Sequence, residues 1–306
     1  MKKQILQLGV ILTLGISLVA SCAKEKTDEE AKPKEEEKKE EPKEAELMAS
    51  KTPSNRIALL EDFTGVRCGY CPDGHERAKA AQEQLGKDKF IILAVHGGSY
   101  ATPATGWANF TTAFGQSLIS QAKVSGFPAG TINRIPAEQF GVPAQIPGGA
   151  AMSRGAWAFS ANKVVTEMTS PVNIGAKASF DPATRLLTVN MDAYYTDGET
   201  VANNINVAFV QNKLMSRQSG ASTNPYEQNH VLRHFITGQW GDEIKESTKK
   251  ESIVRKTYTY TVPADYHGTA VEGGGAVKIE DCKVVIFISR GKTDILTAVE
   301  IPITVK

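Results

Sequence analysis

Two cysteines three positions apart, Cys68 and Cys71, stand in the stretch LEDFTGVRCGYCPDGHERAK, residues 60–79. The spacing admits three chemistries: a redox pair, half of a metal site, or a structural staple. The redox reading has a physical basis. A thiolate is the nucleophile in disulfide exchange. The first turn of a helix offers unpaired N–H groups and the positive end of a dipole. A cysteine placed there has its thiol lowered from about 8.5 to about 7 or below. A second thiol three residues on resolves the mixed disulfide made by the first. In the metal reading, Cys68, Cys71 and His75 supply three ligands and His96 a fourth, but one CxxC without a second pair is a weak zinc signal. His75 otherwise reads as a helix-face residue lining the site.

The flanking sequence positions this pair. Residues 56–63 form a short apolar strand, Thr64-Gly65 marks a turn, and Cys71, His75, Ala78, Ala81 and Leu85 recur at helical spacing up to Gly86. Pro72 fits the first helical turn, where its missing N–H costs nothing. Residues 89–95 are a second apolar strand suited to a buried parallel sheet. The order strand, CxxC, helix, strand is a βαβ unit with the cysteines where the helix begins, and Cys68 is expected inside its first turn. Farther on, Trp107, Phe110, Phe114 and Leu118 predict an extra helix, residues 135–150 a Gly- and Pro-rich loop, and residues 151–168 a closing helix.

Past Ser170-Pro171 the period changes to two. Residues 172–180, 186–196, 206–210, 252–262, 283–289 and 299–305 read as strands punctuated by Gly, Asp and Pro, which predicts a β-sandwich, most simply an immunoglobulin-like one. Residues 216–229 are polar and read as a long loop. Cys282 shares a strand face with Val284, Ile286 and Ile288 and reads as a buried, inert thiol. His230 and His234 would share one side of a strand, yet no zinc-protease motif accompanies them.

The N-terminus is read as apart from the fold. Lys2 and Lys3 precede an uncharged apolar run that ends Leu18-Val19-Ala20-Ser21-Cys22, the pattern of a signal peptide over residues 1–21 with lipidation at Cys22. Acyl chains there would hold the protein on a membrane. Residues 22–53 read as a tether. Its segment 24–46 holds 11 acids, 7 bases and two prolines and cannot offset its ordering entropy by burial. A flexible coil of that length spans roughly 30 Å. The 306-residue chain is 41% apolar and 23% charged, with four cysteines. That is ordinary for a globular protein and too cysteine-poor for a disulfide framework. Its net charge of +1, which falls to −1 when Lys2 and Lys3 leave with the leader, argues against nucleic acid as a partner. No cofactor and no metal are expected.

The segment from Leu60 to Cys71 resembles the active-site segment of thioredoxin-like proteins. The resemblance gives Asp62, six residues before Cys68, the role of relaying a proton to the second cysteine. Val124-Ser-Gly-Phe-Pro-Ala129 resembles the loop of the thioredoxin cis-proline, which implies a cis Phe127–Pro128 bond, with Pro128 against the CxxC and shaping the substrate groove. Two departures stand out: Arg67 occupies the place where thioredoxins carry Trp, and the stretch before Pro128 is longer. The full set, with FTGVRCGYCPDGHERA, GFPAGTINR and NHVLRHFITGQWGDEI, is similar to the Omp28-related lipoproteins of Bacteroidetes from about Ile57 onward. That resemblance implies an outer-membrane lipoprotein with a thioredoxin-like part, of a kind described as adhesins or receptors.

The expected architecture is an α/β thioredoxin-like domain, residues 54–170, followed by an all-β immunoglobulin-like sandwich, residues 171–306. Two functions stand on the sequence. In one, Cys68, Cys71, Asp62 and Pro128 exchange thiols and disulfides with an extracytoplasmic protein partner. In the other, a surface-exposed binding protein meets a host ligand and the cysteines are a fixed disulfide.

Overall fold

The computed structural model describes residues 46–267 and 275–306. The expected signal peptide, Cys22 and most of the tether lie outside the described residues. Residues 46–306 make one compact unit, β-rich and built on a mixed sheet with three α-helices among the described residues.

The first half supplies β1 (Ala58–Thr64), α1 (Cys71–Leu85), β2 (Phe90–His96), α2 (Gly115–Ala122), β3 (Ala129–Ile132) and α3 (Trp157–Glu167). β1 and β2 are parallel neighbours, as a strand–helix–strand crossover requires, and β3 runs antiparallel on the other side of β1. Both central strands are buried on both faces, which is why they read as nearly continuous apolar runs. Gly86, at φ 99°, ends α1 as its sequence position predicts.

The second half supplies β4 (Val172–Asp181), β5 (Leu186–Tyr195), β6 (Asn203–Gln211), β7 (Leu214–Ser216), β8 (Tyr226–Gln228), β9 (Val231–Phe235), β10 (Ile253–Thr261), β11 (Cys282–Arg290) and β12 (Thr293–Val305). The main sheet runs β10-β5-β4-β12-β11-β6-β9-β2-β1-β3, so β9 joins the strands of the two halves. β12 belongs to two layers. Its residues 293–302 pair with β11 and its residues 303–305 pair with β4.

Side-chain alternation on β6 and β11 explains how the halves share a core. Val207, Phe209, Val284, Ile286 and Ile288 pack with Val189, Met191 and Ala193 of β5. The intervening Ala208, Val210, Val285 and Phe287 pack with Leu59, Phe63, Ile91, Leu93 and Leu118 of the first half. Two residues in left-handed backbone fasten the junction. Asn133, at φ 52°, accepts from the Leu59 N–H and donates to the Ile57 and Ile295 carbonyls. Arg134 beside it is buried and bonded to Glu61 at 2.7 Å.

The structure departs from several sequence expectations. Trp107 and Phe110 are not helical, and α2 starts only at Gly115. Their aromatic spacing serves a satellite cluster instead, with Phe110 packed on Val66, Leu214 and Val231 and Trp107 against it. The closing helix starts at Trp157, because Met152–Ser153 first pairs with β3. The polar stretch at 216–229 carries a hairpin, β7 with β8. The chain is already docked at Met48, inside the stretch read as tether. The Met48 N–H bonds Asp192 at 2.8 Å, and the Asn173 amide holds the Ser50 and Thr52 carbonyls. His230 and His234 do not share a face: His230, at φ 56°, precedes β9 and lies 3.9 Å from Glu300, whereas His234 stacks on Tyr260 at 4.5 Å.

Candidate functional site at the CxxC turn

β1 delivers the chain to the site. Leu60 on this strand packs toward α1 and α3, and Asp62 and Thr64 follow it at alternate positions on the same face. His75 on the first turns of α1 meets them. Its Nε2 lies 3.6 Å from Asp62 Oδ2 and 2.9 Å from Thr64 Oγ1, and its Nδ1 is 3.0 Å from the Tyr226 hydroxyl. Asp62 is 1% exposed, and its Oδ1 has no hydrogen-bond partner among the described residues. Burial without a paired cation pushes its carboxyl up to about 8. Burial pulls the His75 imidazole down to about 4, with His230 adding repulsion. His96, at the end of β2, is buried edge-on to Phe110 and pulled down to about 3, again chiefly by burial. Burial thus favours the uncharged form of each of these three groups, the Asp62 carboxyl and the His75 and His96 imidazoles.

After Thr64 the chain turns. The Cys68 N–H bonds the Gly65 carbonyl at 2.9 Å, and the Cys71 N–H bonds the Cys68 carbonyl at 3.3 Å. Cys71 is the first residue of α1 and Tyr70 its N-cap, so Cys68 lies in the preceding turn and not in the helix, contrary to the sequence expectation. The tight turn at Gly69-Tyr70 uses up the Cys71 N–H, and only from Cys71 on does the backbone enter the helix. The dipole advantage therefore falls on Cys71. The two cysteines are joined in a disulfide, with their Cα atoms 5.4 Å apart. Their sulfurs are thus committed to each other, and both His75 nitrogens are committed to Thr64 and Tyr226.

Pro128 packs on the same helix turn. The Phe127–Pro128 bond is cis, and a Cβ at Gly74 would fall 3.1 Å from the Pro128 ring, so only glycine fits there without displacing it. The helix start is braced by Asp73, which binds Arg77 at 3.0 Å and also Arg154. The guanidinium of Arg154 lies over the Tyr70 ring at 5.8 Å. Arg67, the residue that departs from the thioredoxin pattern, is exposed, and its N–H bonds the Tyr100 carbonyl.

Sequence reasoning missed the other wall of the site. Residues 217–228, the loop after β7 together with β8, fold over the CxxC turn. The Gln218 amide donates to the Cys68 carbonyl at 2.9 Å and to the Gly65 carbonyl at 3.1 Å, and the Ser219 N–H donates to the Val66 carbonyl at 2.8 Å. Gly220 lies so close to Gly69 that a Cβ would sit 1.9 Å from its carbonyl oxygen. Cys68 is left 2% exposed and Cys71 fully buried. The local signals, Gly220 and Asn224-Pro225 in a polar run, mark a built loop, but nothing in them names a partner some 150 residues away. Cys282 stands apart from this site, buried on the β11 face with its thiol pushed up to about 12 by burial.

Fold and site together define a β-rich protein with a disulfide at a helix start and a buried carboxyl on the strand that leads into it. The sequence matches the family described as outer membrane protein Omp28 over residues 115–288, more than half of the chain, and the chain belongs to that family. Among solved structures it is similar to HBP35 of Porphyromonas gingivalis, at 17% identity and a TM-score of 0.64, covering 82% of this chain and 76% of that one. A domain of the outer membrane lipoprotein Omp28 from Porphyromonas gingivalis matches at 22% identity over 45% of this chain and 91% of that one, with a TM-score of 0.32. No curated protein matches the chain.

Proposed function

We propose that this Omp28-family protein is an outer-membrane lipoprotein, anchored through Cys22, whose thioredoxin-like half exchanges the Cys68–Cys71 disulfide with thiols of extracytoplasmic proteins. The observation that carries this reading is Asp62. A buried carboxyl without a cation has no stabilising value to the fold, yet it lies on the strand that leads into the CxxC and beside the helix that begins at Cys71. The parallel β1–α1–β2 unit and the cis Pro128 against α1 agree with it. The compartment outside the inner membrane permits both disulfides and their exchange.

The reaction balances on protein groups alone. A thiolate of a partner dithiol attacks the Cys68 sulfur, and the Cys68–Cys71 bond breaks. Cys71 leaves as a thiolate favoured by the helix start, then takes the Asp62 proton. The partner's second thiol gives its proton back to the Asp62 carboxylate and attacks the partner sulfur of the mixed disulfide, releasing Cys68. The partner dithiol has lost two electrons and the Cys68–Cys71 disulfide has gained them. The same steps in reverse reduce a partner's disulfide.

A Cys71→Ser variant tests the proposal in the reducing direction. Cys68 then attacks partner disulfides and nothing resolves the product, so mixed disulfides through Cys68 should accumulate on extracytoplasmic proteins and be read by non-reducing electrophoresis and mass spectrometry. Absence of such adducts would favour the second reading, a cell-surface adhesin or receptor whose immunoglobulin-like half binds a host ligand. The near-complete burial of Cys68 is the observation on that side.

A further inference from the structure

We infer that residues 217–228 are a strap that closes the Cys68–Cys71 site and must lift before the disulfide can react. The inference rests on the exchange reading above and adds its regulation. Attack on a disulfide needs an approach to sulfur in line with the breaking bond, and here Cys68 is 2% exposed and Cys71 is not exposed at all. The cover comes from the distant half of the chain. It is held to the turn by the Gln218 amide on the Cys68 and Gly65 carbonyls, by the Ser219 N–H on the Val66 carbonyl, and by Gly220 seated on Gly69. A further tie runs from the Tyr226 hydroxyl to His75 at 3.0 Å, so the strap also touches the imidazole beside Asp62.

Its construction suits a part that opens. β8 pairs with β7 in a two-stranded sheet outside the main one, so lifting the strap breaks no pairing of the central strands. Within the strap the buried anchors are polar, Gln218 and Gln228 each being 1% exposed and bonded to each other or to the turn, whereas β7 is held in place by Leu214 in the Val66 cluster. Polar groups regain hydrogen bonds from water when they are lifted, whereas apolar anchors would resist exposure. Low-stability segments of this kind open without global unfolding. A partner that binds the strap, or that competes for the Cys68, Gly65 and Val66 carbonyls with its own backbone N–H groups, would thereby gain access to the disulfide.

The test is the rate at which a water-soluble phosphine reduces the disulfide in the folded full chain. Oxidised glutathione serves as the open reference, and Gln218→Ala and Gly220→Ala are compared with wild type. Gln218→Ala removes the anchoring amide. Gly220→Ala pushes the strap off Gly69 without altering a polar anchor, and circular dichroism confirms that each variant is folded. Wild type should react far more slowly than glutathione disulfide, Gln218→Ala about tenfold faster than wild type, the weight of one well-made hydrogen bond to a buried group, and Gly220→Ala faster than wild type as well. A wild-type rate equal to that of glutathione disulfide overturns the strap, as do folded variants that react no faster than wild type. Failure of the exchange reading looks different. There the variants accelerate phosphine reduction as expected, while Cys71→Ser combined with Gln218→Ala still traps no partner protein.

Discussion

Replacing Arg134 by alanine should destabilise the protein by about 3–5 kcal/mol, because it strands a buried carboxylate. The Arg134 side chain is 0% exposed and that of Glu61 1%. Arg134 reaches Glu61 through both Nε and Nη2, at distances from 2.7 to 3.1 Å, and Thr131 Oγ1 donates to Glu61 at 3.0 Å. Arg134 also bonds the Lys292 carbonyl and lies over the Phe287 ring at 5.2 Å, so it joins the first half to the second. Without it, Glu61 keeps one hydroxyl partner in an apolar core. That loss is a large fraction of an ordinary folding stability of about 5–15 kcal/mol. The double variant Arg134→Met with Glu61→Leu should recover most of the loss, since apolar replacement of a buried ion pair is often neutral or better. Urea unfolding of the three proteins checks both statements, and a single variant within about 1 kcal/mol of wild type would contradict them.

Asp62→Asn should do the reverse, raising stability and lowering exchange. The carboxyl is pushed from 3.8 to about 8 in the fold, chiefly by burial. The folded state therefore keeps a proton that the unfolded chain has lost, so the stability tied to that proton is complete below the unfolded value and drains away as pH rises toward 8. The slope is at most about 1.4 kcal/mol per pH unit, so the total between pH 5 and 8 is at most about 4 kcal/mol. The histidines work in the opposite sense. His75 and His96 are pulled down to about 4 and about 3, so the unfolded chain binds protons that the fold refuses, and stability is lost as pH falls below about 6.5. From about pH 4 to 6.5 these two histidines, joined by His234, which burial also pulls down, outweigh the one carboxyl and stability rises with pH. Above 6.5 Asp62 alone makes it fall. The variant should lack that alkaline fall, giving a flat curve where wild type declines, and parallel curves for the two proteins would rule out a buried neutral carboxyl. It should also exchange more slowly, because Cys71 would then leave without a proton at hand.

The parts of the site that could be read from the sequence were the local ones. The strand to Phe63, the helix ending at Gly86 and the strand at residues 89–95 follow from apolar period and punctuation over some forty residues. Cys68 was misplaced by one turn because Gly69 and Tyr70 close a turn before the helix, a difference no periodicity reports. Trp107 and Phe110 keep helical spacing without a helix because they fold onto Val66 and Leu214. The shared core was hidden for another reason. Strands such as β11 are apolar on both faces, and the sequence shows that both faces are buried but not what covers each. Gln218 was out of reach altogether, since its value comes from carbonyls on a turn far earlier in the chain.

The most direct test of the exchange reading is an equilibrium titration of the Cys68–Cys71 couple against glutathione or dithiothreitol buffers, with the thiol count read by alkylation and mass spectrometry. An exchanging couple should titrate reversibly with two electrons between about −120 and −270 mV, the range of proteins that trade disulfides. A bond that stays closed at potentials below about −300 mV is a structural disulfide, and that result would contradict the account.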